Sequence, residues 1–401
     1  MKEYIAVIAP GHKKFDERVL RTVRKYSEHI NVIYVHEKNS SFDDVEMTNE
    51  GFEIINVQFP FPGESGLFAR YKKIAALKEK LNSFNVIGYH VHESGTFGLN
   101  ISANLPRNRK IIFDYHDWIP FEIYEKVGGG ILYKMIYLFF RTIYIKAILK
   151  KLEAVVFISD GAKDYFNKFY GKINSFVVPN SRQKLEIISK EKNIPNSNFE
   201  NNMEQIELLW VGNIMPLRQI ERLFEIRDYL ISKNNELIVK ISIWGRIKDH
   251  DYAKKIRDIE KNSLRRFEES FLTFNGEYKK ETEIRTLKNY LTFGFSFGWN
   301  DEINTGLNKI ACPTKMYSYG LIRIIGFLES KCEDQNAKLK KSNLDLGFSN
   351  NEEACSKILN YMYNPKTYMA DARKLYQFCL DQNIESEKKV DETVTFMLKN
   401  I

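Results

Sequence analysis

The sequence predicts an α/β protein of two Rossmann-like, doubly wound parallel-sheet halves. Three observations carry this. Short β-branched runs alternate with longer amphipathic stretches; the alternation stops in a polar, Asn-rich stretch after Asn180 and then restarts; and 401 residues exceed one ordinary core. A hydrophobic content of 43% with 28% charged residues excludes a disordered chain. Sixty Lys and Arg against fifty-two Asp and Glu give a net charge of +8, which suits an anionic ligand or membrane surface and is too weak to argue for nucleic acid. Cys312, Cys332, Cys355 and Cys379 lie in the last third with no C-x-x-C pair, which argues against a zinc or thioredoxin-like site and fits a reducing cytosol.

The elements follow in order. "YIAVIAP" breaks at Pro10-Gly11 and reads as a first strand, not a signal peptide. "FDERVLRTVRKYSEH" reads as a helix with Val19, Leu20 and Val23 on one face, and "INVIYVH" as the next strand. "GLFARYKKIAALKEKLNSF" and "SGTFGLNISANL" are helices set between the strands "VIGYHVH" and "KIIFDYH". "AVVFISD" and "SFVVPN" are strands around the helix "GAKDYFNKFYG". After the polar connection come "LLWVGNI", "LIVKISIWG", "LTFNG", "LTFGFSFG" and "IRIIGFL" as strands. The helices "QIERLFEIRDYLISK", "AKKIRDIEKN", "ETEIRTLKNY" and "KMYSYGL" separate them. Three helices close the chain: "NEEACSKILNYMYNP", "TYMADARKLYQFCLDQ" and "ESEKKVDETVTFMLKNI". Two similar halves place the natural site in a cleft between them.

Several stretches carry a family resemblance. "FDERVLRTV", "YHVHESGTFGL", "IIFDYHDWIPFE", "AVVFISDGAKDYFNKFYGKINSFVVPNS", "LLWVGNIMPLRQIERL", "FNGEY" and "CPTKMYSYGLIRIIG" resemble, in order and across nearly the whole chain, the motifs of glycosyltransferase family 4, which has the GT-B fold. The resemblance implies an acceptor-side domain over 1–185, a linker over 186–205 and a nucleotide-sugar domain over 206–383, with the terminal helix 384–401 packing back on the first domain. It implies transfer of a sugar from a nucleotide-sugar donor to a glycan or lipid-linked acceptor, in surface polysaccharide or glycolipid synthesis. Anomeric configuration would be retained and no divalent metal or other cofactor needed.

Lys315 stands at the start of "KMYSYGL", where the resemblance places the donor diphosphate. A helix N-terminus offers free N–H groups and partial positive charge to a phosphate, and a lysine adds a point charge. Taken alone, Lys315 reads as a solvated helix-end lysine; the accompanying motifs assign it to the donor. Arg218 stands where the family has a lysine and can clamp a phosphate in bidentate fashion. Thr314 and Gly11 complete the phosphate set, Gly11 by permitting close backbone approach. Gly212, Asn213, Tyr317 and Ser318 fall at the nucleotide and sugar positions. His116 and Asp117, after the strand "KIIFDY", are the expected catalytic pair, His116 meeting the donor sugar. His92 and Glu93 are the expected acceptor-side residues; Glu122 reads as a loop acid.

The chain departs from the family at three positions. Ile310 and Ser318 stand where a glutamate pair is usual, and Asn213 stands where an arginine is usual. Asp301 or Glu302 would have to supply the missing carboxylate. A UDP- or GDP-sugar is the expected donor ahead of a CMP-sugar, and the alternative is a degenerate GT-B homologue serving as a binding or scaffold subunit. No carboxylate pair of the hydrolase kind is present, which argues against glycoside hydrolysis.

The most apolar helix, over 131–151, is interrupted by Lys134, Arg141, Lys146, Lys150 and Lys151, so it does not read as a membrane span. It reads as a core helix with a basic edge that touches a membrane, placing the enzyme in the cytoplasm, peripheral on the inner face.

Overall fold

The computed structural model describes residues 2–10, 12, 16–37, 44–59, 67–92, 96–115, 130–180, 204–264, 270–277, 284, 286–287, 290–298, 308–309 and 313–399. Contacts divide the chain into two units, Met1–Gln183 with Asn383–Ile401, and Lys184–Gln382.

In the first unit β1 (Glu3–Ala9) is buried from Tyr4 onward, as expected of a parallel strand covered on both faces. It pairs in parallel with β2 (Asn31–Glu37) on one side and β5 (Asn85–His92) on the other. Helix α1 (Glu17–Ser27) connects β1 to β2; the Asp16 carboxylate caps it by accepting from the N–H groups of Arg18 and Val19. With β3 (Asp44–Met47), β4 (Glu53–Phe59), β6 (Lys110–Tyr115), β7 (Ala154–Phe157) and β8 (Ser175–Val177), the order is β3-β4-β2-β1-β5-β6-β7-β8. β3 alone of these is antiparallel. Helices α2 (Leu67–Asn82), α3 (Thr96–Asn104), α4 (Ile131–Leu149) and α5 (Asp160–Tyr170) connect the strands.

In the second unit β9 (Gln205–Val211), β10 (Ile238–Trp244), β11 (Leu272–Gly276), β12 (Leu291–Ser296), β13 (Ile325–Glu329) and β14 (Gly347–Phe348) form a parallel sheet ordered β11-β10-β9-β12-β13-β14. Counted from β9 this is the order 3-2-1-4-5-6 of a dinucleotide-binding fold, with its switch point between β9 and β12. Removing β3 from the first sheet leaves the same order with one strand added. Helices α6 (Arg222–Lys233), α7 (His250–Leu264), α8 (Lys315–Leu321), α9 (Glu333–Lys341) and α10 (Asn351–Tyr363) belong to this unit. The Glu207 carboxylate is buried in mid-β9, accepting from the Ser242 hydroxyl at 2.5 Å, the Thr292 hydroxyl at 2.8 Å and the Leu287 N–H at 2.9 Å. Burial raises its pKa.

The structure differs from the sequence reading in four places. β3 and β4 go unread because β3 is exposed throughout and β4 mixes polar with apolar residues. α9 and β14 go unread because the helix is largely charged and the strand spans two residues. The last two expected helices are one, α11 (Pro365–Lys399); no proline interrupts it after its first residue, and the chain runs helically through Asn383 and Ile384. The expected helix over 281–290 lies mostly outside the described residues; Ile284, Thr286, Leu287 and Tyr290 are not helical. The end of α11 lies against the first unit. The Ser386 hydroxyl accepts from Arg21 at 2.6 Å and donates to the Pro179 carbonyl at 2.7 Å. Val390, Val394 and Met397 join Val19 and Val23 in its core.

Candidate functional site

Parallel strands present their carboxyl ends together, and β9, β10 and β11 all run out into glycine. Gly212 has φ +133°, Gly245 φ +149° and Gly276 φ +79°, backbone conformations that side chains rarely adopt. The Gly212 N–H donates to Trp244 O at 2.8 Å, and the Gly245 N–H to Gly276 O at 2.7 Å, which ties the three strand ends into a ledge. A Cβ on Gly245 would stand 1.9 Å from Gly212 O.

Lys315, the first residue of α8, crosses this ledge. A Cβ on Gly212 would lie 2.8 Å from Lys315 Cε, so the glycine makes room for the lysine stem. The ammonium rests 3.8 Å from the centre of the buried Trp210 ring, and Trp210 stacks on Phe297 at 5.9 Å. Arg218 ends a short 3-10 helix (Pro216–Arg218) that stops at Gln219, whose φ is +51°. Gln219 Nε2 donates to Gly298 O at 3.0 Å, anchoring that turn to the end of β12. Burial, then the charge of Arg218, holds the Lys315 pKa well below the usual lysine value; burial also lowers that of Arg218. The positive charge of Arg218 thus acts on that of Lys315, an arrangement that an anion would stabilise.

Asn213 is exposed beside Gly212, and Thr314 is exposed with no side-chain capping bond. Tyr317 and Ser318 are buried, 2% and 1% exposed, with Tyr317 in the core of the unit. The structure therefore brings together Lys315, Arg218 and Gly212, while Tyr317 and Ser318 turn inward. Gly11, Glu93, His116, Asp117, Glu122, Asp301, Glu302 and Ile310 lie outside the described residues.

The sequence reading passed over Trp210, Gly245 and Glu329. A signal for the first two exists: "LLWVG", "ISIWG" and "LTFNG" each end a strand on glycine after an aromatic, and Trp210 shares a strand face with Gly212 at spacing two. Glu329 ends β13, accepting from Arg222 at 2.9 Å and the Gly298 N–H at 2.6 Å, with Lys331 at 3.3 Å. It pins the end of β12 beside the ledge.

In the first unit the motif residues meet at Arg18. Its guanidinium donates to both oxygens of Asp114, at 2.7 and 3.3 Å, to Asn180 Oδ1 at 2.7 Å and to Val178 O at 3.1 Å. His92, wholly buried, sets Nδ1 3.3 Å from Asp114 Oδ2, and His90 stacks on it at 4.8 Å. His90, His92 and Asp114 bring ligand atoms within 4.8 Å of one another. Arg18 already neutralises that carboxylate, so the cluster reads as a hydrogen-bonded support at the ends of β5 and β6.

Burial lowers the His90 pKa to about 4, with Asp114 raising and Arg18 lowering it. Its other close neighbour is the Tyr26 hydroxyl, 3.1 Å from Nδ1. The folded value lies below the unfolded one of about 6.5. Below pH 6.5 the unfolded chain takes up a proton that the folded one refuses, so His90 costs stability progressively until pH falls to about 4. The full cost is about 3 kcal/mol at 1.36 kcal/mol per pH unit. Urea unfolding of wild type and His90→Phe at pH 7 and pH 4.5 should show the wild type losing more; parallel losses would remove His90 as the cause.

Solved structures share this architecture. The chain matches OtsA in its apo form with TM-score 0.67 and 9% identity over 99% of both chains. It matches E. coli trehalose-6-phosphate bound with UDP-2-fluoro glucose with TM-score 0.66 and 9% identity over 98% of both chains. It matches sucrose-phosphate synthase from Thermosynechococcus elongatus with TM-score 0.65 and 11% identity over the whole of both chains. The fold is GT-B. No protein-family model and no curated protein sequence matches the chain. At these identities the likeness speaks for the fold; the two parallel sheets and their common strand order are its physical content.

Proposed function

We propose that this protein is a glycosyltransferase that moves a sugar from a nucleotide-sugar, UDP- or GDP-linked, to a glycan or lipid-linked acceptor with retention of configuration. The observation that carries it is Lys315 crossing Gly212 at the carboxyl ends of β9 and β10, with the charge of Arg218 acting on it. The donor's diphosphate neutralises both cations. The same two groups stabilise the charge that grows on the diphosphate as the sugar leaves, the step at which electrostatic help lowers the barrier most. Gly212 admits the Lys315 stem, which sets the ammonium at this end of the sheet. A UDP-sugar is favoured by the solved neighbour bound with UDP-2-fluoro glucose. Retention and a role in surface polysaccharide or glycolipid synthesis rest on the motif resemblance, as do the catalytic roles of His116 and Asp117.

One observation favours a second reading, a scaffold subunit without donor chemistry: Ser318, standing where the resemblance has a carboxylate, is buried. Donor binding separates the two. A thermal-shift screen against UDP, GDP, CMP, ADP and dTDP with their common sugars should raise the melting temperature for UDP or GDP. Ligand at a hundred times Kd adds about 2.7 kcal/mol to stability. For a unit of this size that amounts to several degrees, at roughly 2–4 °C per kcal/mol. No shift with any nucleotide would sink the transferase reading.

A further inference from the structure

Helix α4 is apolar where it meets solvent. Leu132, Ile136, Phe139 and Ile143 follow one another at spacings of four, three and four along one face, flanked by Met135 and Phe140. Phe139 and Phe140 are 63% and 66% exposed. The opposite face is the packed one: Ile145 and Ile148 are buried, and the Tyr144 hydroxyl donates to Asn100 of α3 at 2.7 Å. The exposed face continues at the same spacing into Lys146 and Lys150. It thus runs from apolar to cationic along about 28 Å of helix.

At its cationic end the helix borders a surface pocket of about 560 Å³. Arg107, Arg109, Lys110, Lys150 and Lys151 line it, with Glu153 the single carboxylate. Lys150 and Lys151, just past the last residue of α4, suit a helix C-terminus on their own. Arg107 and Arg109 come from the turn between α3 and β6 and Lys110 from the first residue of β6, so helix capping does not account for the cluster. The Lys151 ammonium donates to the Ala103 carbonyl at the end of α3. Its pKa is lowered, first by burial and then by the charges of Arg107 and Lys78. These cations repel one another in the absence of an anion.

We propose that the exposed face of α4 and this basic pocket form one docking surface for an anionic phospholipid bilayer, the aromatic residues entering the interface and the pocket holding lipid phosphate. An amphipathic helix with Phe and Leu on one face and a basic end lies in the interface plane, and each cation near an anionic leaflet strengthens the attraction. Among the described residues no helix is long and apolar enough to cross a membrane, so the contact is peripheral. A second copy of this chain is the poorer occupant. A two-fold pairing of this face would set each basic pocket against the apolar end of the other copy, which supplies no anion for its cations. The inference deepens the lipid-linked acceptor reading, but its test uses no donor, so a negative result leaves the transferase reading standing.

The full chain should co-sediment with phosphatidylcholine vesicles containing phosphatidylglycerol and not with phosphatidylcholine alone, and rising salt should weaken the binding. Replacing Arg107, Arg109 and Lys150 by glutamine should lower the partition coefficient roughly 100-fold, at about fivefold per charge. Phe139→Ser with Phe140→Ser should lower it as well, with melting temperature unchanged because both side chains are exposed. If either variant fails to fold, the wild type's salt and lipid dependence still decides. Three results would overturn the proposal: equal binding to both vesicles, full displacement by millimolar inorganic phosphate, or a dimer in light scattering that Phe139→Ser dissociates.

Discussion

Lys315→Met is expected to lower transfer by about 10²–10³-fold, the cost of removing one donor that stabilises a developing anion. The folded protein should remain as stable as the wild type. Methionine keeps the hydrocarbon stem against Gly212 and the Trp210 ring, while the charge that burial and Arg218 disfavour is gone. The sign is fixed by the direction of the pKa shift. A lysine whose folded pKa lies below its unfolded value carries a penalty at neutral pH, relieved as pH rises towards the ordinary value. The diphosphate reverses this by favouring the charged form, so donor affinity should fall as pH rises through the lowered pKa. Turnover with a suitable acceptor, together with the nucleotide-induced thermal shift, checks both halves. Wild-type turnover and an undiminished shift in Lys315→Met would remove the residue from the donor site. A large drop in melting temperature without nucleotide would make it structural instead.

Gly245→Ala should be among the most damaging single changes in the second unit. The new methyl would meet Gly212 O at 1.9 Å, and the obstacle is backbone that no rotamer change can move. The φ of +149° adds strain of its own. Together these place the loss at about 3 kcal/mol or more, in the range where overpacking and backbone strain combine. The displaced ledge should also weaken nucleotide binding, because β9 and β10 must part to admit the methyl. Denaturant unfolding of the variant beside Gly276→Ala is the control. A Cβ on Gly276 meets nothing within 4 Å, so that change isolates the cost of positive φ. Equal losses in the two variants would refute the steric account.

The sequence by itself determined the α/β class. Strands such as "YIAVIA" and "LLWV" are apolar on both faces, a pattern that requires cover on both sides and so a parallel sheet with helices around it. It also determined the Lys315 helix, because helix starts leave local marks in residue type; the strand-end glycines leave such a mark as well, though the sequence reading passes over Gly245. It did not determine that "EIINVQF" is a strand, that α11 runs unbroken for 35 residues, or that α9 lies between β13 and β14. Those elements take their form from what they pack against, and their own periodicity is weak. The tertiary structure alone decided which motif residues meet. Arg18, Asp114 and Asn180 are far apart in sequence and join through one guanidinium. Tyr317 and Ser318 sit two and three residues from Lys315 and turn into the core. Lys150 and Lys151, at the end of α4, gain three cationic neighbours from the turn before β6 and its first residue, some forty residues earlier in the chain. Long-range pairing and the choice of face on a short helix are settled by packing, which acts between segments whose separation along the chain carries no local signal.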